Sequence, residues 1–188
     1  MITMNAHPIL PLETERLILR KYKNTDISDI IEYSSHPSIA AEVNWNPTHT
    51  SVEKYIHKQE SILPEDDPKW LDLAMELKTE HKVIGTIGIG IVSRDHQQGV
   101  IGWGVGVHYR CKGYATEAAC AIITFGFTCL HLHKIMARSD AQNVPSWKLM
   151  EKIGMRREAH FVHHRLEKGE WRDKVVYGIL VDEWMSRH

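Results

Sequence analysis

What the chain lacks narrows it before any motif does. No stretch approaches the roughly 18 consecutive apolar residues of a membrane-crossing helix, which excludes an integral helical membrane protein. The opening residues, from Met1 to Leu17, lack the charged start, apolar core and small-residue cleavage site of a secretory leader, so a cytoplasmic location is expected. Only three cysteines occur, Cys111, Cys120 and Cys129. Their odd number and nine-residue spacing form neither a disulfide framework nor a zinc pattern, and they read as reduced thiols outside the chemistry. Charge of one sign is also missing. There are 23 Lys and Arg against 24 Asp and Glu, a net charge of −1, which argues against nucleic-acid binding driven by bulk charge. The local bases Arg156-Arg157 and Arg165 to Lys168 are interleaved with Glu158, Glu167 and Glu170, so no nucleic-acid partner is expected. Repeats and low-complexity tracts are absent. The nearest approach to a linker, Leu63 to Lys69, is short enough to be a loop inside one domain, and residues 1–188 are expected to form that domain.

What is present is an ordinary globular balance, 43% hydrophobic and 25% charged, with thirteen histidines as the one unusual count. Arg16 to Lys21 reads as a first strand. Asp26 to Tyr33 carries Ile27, Ile30 and Ile31 at helical spacing and stops at His36-Pro37. Thr50-Ser51-Val52-Glu53 has the capping-box pattern and opens a second helix, running to about Ile62. The period then becomes two. Leu71, Leu73, Met75 and Leu77 alternate with polar or small residues. Ile84 to Val92 and Gly99 to His108 follow, and the three runs read as an antiparallel meander. Tyr114 to His131 is helical, with Ala115, Ala118, Ile122, Phe125 and Cys129 on one face. Lys134 to Ser139 is a strand, and Pro145 to Ile153 a helix stopped by Gly154. His160 to Leu166 and Lys174 to Val181 are closing strands around a Lys168-Gly169 turn. This order specifies a mixed α/β (α+β layered) fold.

Two segments carry the chemistry. Tyr109-Arg110-Cys111-Lys112-Gly113-Tyr114-Ala115-Thr116-Glu117-Ala118 joins a strand to a long helix. Gly113 permits a tight turn, and the free N–H groups of the first helical turn favour an anion, with Arg110 and Lys112 adding charge. The same segment is also compatible with an ordinary strand-to-helix turn. It is not a Walker A loop, and Gly85, Gly88 and Gly90 lie inside a strand rather than in a dinucleotide-binding turn. Downstream, Asn143-Val144-Pro145-Ser146 opens a helix. Asn143 either caps that helix or hydrogen-bonds a ligand amide, and Ser146 either bonds at the helix start or points into the same cleft.

The run from Ile101-Gly102-Trp103 through Arg110 to Ala118 resembles the Arg/Gln-x-x-Gly-x-Gly/Ala signature of GNAT acetyltransferases, in the form of the RimJ/RimL-like branch. Asn143-x-x-Ser146-x-x-Leu149-Met150-Glu151-Lys152-Ile153-Gly154-Met155 resembles the second motif of that branch. Thr14 to Arg20 resembles its opening strand, and Gly169 to Tyr177 with Glu183-Trp184 its closing hairpin. The resemblance covers nearly the whole chain, in order. It implies the acyl-CoA N-acyltransferase fold: a twisted, mixed but mostly antiparallel sheet with helices on both faces and two central strands splayed in a V. Acetyl-CoA would lie in the V, with no metal required. Val105, Gly106 and Val107 would pair with its pantetheine arm. Amides of Arg110, Cys111, Lys112, Gly113, Tyr114 and Ala115, with Thr116 beside them, would hold the pyrophosphate, and Asn143 would contact the pantetheine. The implied activity is transfer of acetyl to a primary amine, a peptide N-terminus or a small molecule, by direct attack. A non-catalytic acyl-CoA sensor on the same fold is the alternative, and homodimers are common in that branch.

For the reaction itself, a backbone N–H near Val105 is the expected oxyanion donor and Ser146 the candidate acid. Glu158 is the candidate base, with Asp140, His108, His160, His163 and His164 also eligible. Two departures from the branch matter. Asp-Pro is replaced by Gly106-Val107, and an acidic residue by Val100. The pairs His131/His133 and His163/His164 have no adjacent Cys or acidic partner, so no metal is expected.

Overall fold

A computed structural model describes residues 10–37, 39, 45–63 and 69–187. One eight-stranded sheet runs through it. Its strands are β1 (Leu12–Glu13), β2 (Leu17–Arg20), β3 (Leu71–Leu77), β4 (Lys82–Ser93), β5 (Gln98–Val105), β6 (Lys134–Asp140), β7 (Arg156–Glu167) and β8 (Glu170–Leu180), in the spatial order β1-β2-β3-β4-β5-β6-β8-β7. Every neighbouring pair is antiparallel except β5 with β6. Strand alternation divides the apolar residues between two faces. Leu73 and Met75 point to the cluster that includes Ile87, Ile89, Ile122 and Phe125, whereas Ala74 joins Tyr22, Ile30, Val52 and Ile56 on the opposite side. Helix α3 (Tyr114–Thr128) covers the first face, and α1 (Ile27–Ser34) with α2 (His49–Glu60) covers the second. Helices α4 (Val144–Lys152) and α5 (Val181–Met185) complete the chain, and Trp184 of α5 is buried in the larger cluster. The mixed, mostly antiparallel sheet with helices on both faces matches the expected architecture.

The elements depart from their expected bounds for local reasons. Helix α2 is capped by Thr48, not Thr50. The Thr48 hydroxyl accepts from the Ser51 N–H at 3.2 Å and the Ser51 hydroxyl accepts from the Thr48 N–H at 2.8 Å. Pro47 precedes this cap and the Thr48 backbone is extended, which ends the helix there and leaves Thr50 and Glu53 inside the first turns. Strand β5 stops at Val105 rather than His108, because the Gly106 N–H turns back to the Ile84 carbonyl at 2.8 Å and Val107–Tyr109 form a 3-10 turn. The closing hairpin is longer than expected. Most of β7 is exposed on both faces, so its outer residues carry no alternation to read. The expected loop from Leu63 to Lys69 falls largely on 64–68, and the residues preceding Leu10 hold the expected non-leader start; both lie outside the described residues.

One carboxylate ties the N-terminal edge to the mouth of α3. Glu117, in the first turn of α3, accepts from the Thr14 hydroxyl at 2.6 Å, the Arg16 N–H at 2.7 Å and the Arg16 guanidinium at 2.6 Å. The other arm of the guanidinium donates to the Lys112 carbonyl at 3.0 Å, so Arg16 bridges the helix to the turn before it. Burial alone would raise the Glu117 carboxyl, but the donors from Thr14 and Arg16 outweigh it and hold the group below the usual glutamate range.

A depressed carboxyl contributes stability above its unfolded pKa of about 4.3, and loses it as pH falls through the lower folded value. Glu117→Gln is therefore expected to cost about 1–3 kcal/mol at pH 7. The gap from wild type should narrow in urea titrations below about pH 4. A second prediction concerns β4. A Cβ on Gly85 would stand 2.2 Å from the Gly104 carbonyl oxygen, a backbone atom that cannot move aside alone. Gly85→Ala should destabilise by about 1–3 kcal/mol or more, read as a lower urea midpoint.

Candidate active site

The site begins where two strands stop pairing. Strand β5 pairs with β6 only over Gln98–Ile101 against Lys134–Ala137. Beyond Ile101 it stays with β4 as far as Val105↔Gly85, while β6 follows β8 as far as Asp140↔Lys174. The antiparallel β4–β5 register alternates between residues that bond across the pair and residues that face away. Since the Gly106 N–H bonds to Ile84, the groups of Gly102 and Gly104 also face β4. Those of Trp103 and Val105 face the gap, and the Arg110 Nε reaches the Val105 carbonyl from that side at 3.1 Å. The expectation that Gly106 and Val107 extend this backbone edge is therefore corrected. Both lie past the strand end, and the Gly106 N–H is already spent on Ile84.

The mouth of α3 opens beside this edge. Gly113 takes φ +86°, in the left-handed region that favours glycine, and it caps the helix without any side-chain hydrogen bond. The N–H groups of Tyr114, Ala115 and Thr116 thus have no intrahelical carbonyl to bind. Helix dipole and free donors together favour an anion there. A cleft of about 400 Å³ runs between this turn and β5, lined by Trp103, Gly104, Val105, Arg110, Gly113 and Thr116 among others. Cys111, Tyr114 and Ala115 also line it, whereas Lys112 does not and donates its carbonyl to Arg16 instead. Cys111 is an exposed free thiol, and Cys120 and Cys129 are half-buried free thiols.

Helix α4 begins on the far side of the gap. The Asn143 side chain accepts from the Ser146 N–H at 3.3 Å, so the capping reading of Asn143 holds. Both residues nevertheless line the cleft. The half-buried Ser146 hydroxyl has no hydrogen-bond partner among the described residues. A second cleft of about 630 Å³ adjoins the first. Its walls include Gly102 and Trp103 of β5, Arg138 and Asp140 of β6, and Arg165 and Arg172 of the hairpin. Trp103, Asn143, Pro145 and Ser146 border both.

Among the nominated bases, Asp140 alone borders a cleft. Glu158 is corrected. Its carboxylate lies over Gly178 and is held by Lys134 at 2.6 Å and Arg156 at 3.2 Å, away from both clefts. Strand β7 pairs outward from β8, which carries Glu158 to the sheet edge. His160 pairs with Asp173 at 2.8 Å, His163 donates its N–H to the same carboxylate, His164 stacks near Phe161, and His108 is exposed on the 3-10 turn. Among the described residues no group of three or more His, Cys, Asp or Glu is placed to hold a metal, and no helix is long and apolar enough to cross a membrane.

Sequence reasoning missed several residues. Trp103 stands at the junction of the clefts, and no local pattern distinguished it from a core tryptophan. A second network lies on the α1–α2 side of the sheet. Asp72 accepts from Tyr55 and, at 2.7 Å, from the Thr86 hydroxyl, which accepts in turn from Tyr22 at 2.8 Å. Burial first and the Asp72 charge second push the Tyr22 and Tyr55 hydroxyls far up, so they stay protonated donors. These residues are scattered from position 22 to 86 and meet only through strand pairing.

Residues 16–156 match the family described as an Acetyltransferase (GNAT) domain. The chain is 33% identical over 174 residues to an uncharacterized N-acetyltransferase, YnaD, of Bacillus subtilis, covering 92% of this chain and 98% of that one. It is 28% identical over 106 residues to the [Ribosomal protein uS5]-alanine N-acetyltransferase of Escherichia coli, covering 56% of this chain and 55% of that one. A GNAT-family acetyltransferase from Bacillus anthracis superposes with a TM-score of 0.80 at 31% identity, covering 91% of this chain and 98% of the other. The splayed sheet, the uncapped mouth of α3 and these matches agree: the chain is an N-acetyltransferase of the GNAT family, consistent with its RimJ/RimL-like branch.

Proposed function

We propose that this enzyme transfers acetyl from acetyl-CoA to the α-amine of a peptide or small molecule, with the donor in the cleft beside α3 and the acceptor in the adjoining cleft. One observation carries the reading. The two clefts meet where β5 and β6 part, at Trp103, Asn143, Pro145 and Ser146, so ligands entering from opposite sides converge there. The free amides of Tyr114, Ala115 and Thr116 suit a pyrophosphate. The Trp103 and Val105 edge suits the amides of a pantetheine arm, which would extend the sheet by backbone pairing.

Acetyl-CoA supplies the activated thioester. The Val105 N–H is the donor placed to meet negative charge on the acetyl oxygen during attack. Ser146, with its hydroxyl uncommitted, would protonate the departing thiolate. Asp140 would take the amine proton. Its Oδ1 accepts from the Gln142 N–H at 2.7 Å, which fixes the carboxylate at the cleft wall. An α-amine has a pKa of about 8, against about 10.4 for a lysine side chain, so a single carboxylate at neutral pH is matched to an α-amino acceptor.

Two outcomes are expected. Gly113→Asp puts a side chain at φ +86° and a negative charge at the pyrophosphate position, and isothermal titration should show CoA affinity reduced at least tenfold. Unchanged affinity would move the donor elsewhere. Asp140→Asn should lower kcat/KM about a hundredfold at pH 7, with recovery as pH rises past the amine's pKa of about 8. A loss that is the same at every pH would count against Asp140 as the base.

A further inference from the structure

We infer that the acceptor is an amine bearing a carboxylate near its reactive nitrogen, recognised by Arg138, Lys168 and Arg172 at the wall and mouth of the second cleft. This rests on assigning that cleft to the acceptor.

The cleft concentrates positive charge in a chain whose net charge is −1. Four cations line it, Arg138, Arg165, Lys168 and Arg172, against two carboxylates, Asp140 and Glu167. They come from three strands and the hairpin turn, so the grouping is made by the fold and is invisible as a run in sequence. Their local compensation is incomplete. Arg165 pairs with Glu167 at 2.5 Å, and Arg172 with Glu170 at 2.6 Å, while the other arm of Arg172 donates to Gln142. Arg138 and Lys168 have no carboxylate partner among the described residues.

The register sharpens the point. Arg165 stands directly opposite Arg172 across the hairpin, an arrangement of like charges that disfavours pairing. A cross-strand contact that works against folding is explained when an anion lies between the two guanidiniums. Lys174, two residues along β8, reports the same field. Burial first, then the charges of Arg138 and Arg165, hold its ammonium below the usual lysine range. An acceptor carboxylate would relieve that repulsion. Guanidinium groups bind carboxylates through two parallel hydrogen bonds, which fixes orientation as well as charge. A polyamine would bring only further positive charge to this wall.

The test measures CoA release with the intact enzyme and a matched set of acceptors. These are the amidated tripeptides Ala-Glu-Glu and Ala-Gln-Gln, free glutamate, and spermidine. The acidic peptide should exceed its neutral isostere by about tenfold or more in kcat/KM, mostly through KM. That preference should shrink as salt rises from about 50 to about 300 mM. Arg138→Glu and Arg172→Glu should each lower the ratio about tenfold. Preference for free glutamate over the acidic peptide would identify a small amino-acid acceptor, and the reverse a peptide N-terminus; either supports the inference. CoA binding with equal use of both peptides, or with spermidine preferred, overturns it and leaves the assigned reaction standing. Loss of CoA affinity in Arg138→Glu also overturns it, by giving these cations to the donor. Failure of the wild type to bind CoA in calorimetry would instead remove the donor assignment on which it rests.

Discussion

The structure depends on a pairing that is begun and then abandoned. Strands β5 and β6 are the one parallel pair in the sheet, and they hold each other for four residues before diverging. Each then keeps its other neighbour, β4 on one side and β8 on the other. A sheet with unpaired backbone in its middle is unfavourable unless something satisfies those groups. Here the gap is open to two clefts, so solvent or a ligand reaches the groups of Trp103 and Val105 that β6 leaves behind.

The divergence also decides where the helices begin. Both α3 and α4 start at the gap, the first after β5 and its 3-10 turn, the second after β6. Their N-terminal ends therefore converge on one place, and each end brings donors that its own helix cannot use. The two ends are finished differently. Asn143 caps α4, while Gly113 leaves α3 uncapped and in a left-handed turn that an ordinary side chain would strain. The open end is held in position from behind, by Glu117 gripping Thr14 and Arg16 and by Arg16 gripping the Lys112 carbonyl. The opening strand and the signature turn, far apart in sequence, act as one mechanical unit.

This division explains what could be read in advance. The alternation of Leu71 to Leu77, the period of α3 and the stop at Gly154 are local signals, and local signals place strands and helices. The turn at Gly113 was legible because only a few residue types tolerate its backbone. The strand end at Val105 was not, since Gly106 to His108 continue an apolar rhythm and only a contact to Ile84 breaks it. Glu158 illustrates the same limit. Its sequence neighbourhood is close to the second motif, but pairing of β7 outside β8 carries it to an edge and into the hands of Lys134 and Arg156. Asp140 lies only three residues before Asn143, and its place at the cleft follows from where β6 ends. The histidines, the most conspicuous feature of the composition, are largely surface residues in local pairs such as His160 with Asp173.

Donor and acceptor sides differ in the kind of physics they use. The cleft assigned to the donor is lined by backbone: strand-edge groups of Trp103 and Val105 and the amides of the α3 mouth. Such groups exist whatever the side chains are, so the cleft tolerates sequence change as long as the turn and the splay persist. The other cleft is lined by charged side chains borne on β6 and the closing hairpin, and those can change without disturbing the sheet. Near-neutral net charge is the sum of these local fields, with a helix mouth contributing a positive end that no count of lysines records. A fold built this way keeps one donor and is free to alter its acceptor, because the determinants of each reside in different parts of the backbone. The hairpin, long, exposed and paired only to β8, is the element least constrained by the core, and it is where acceptor choice in this chain is concentrated.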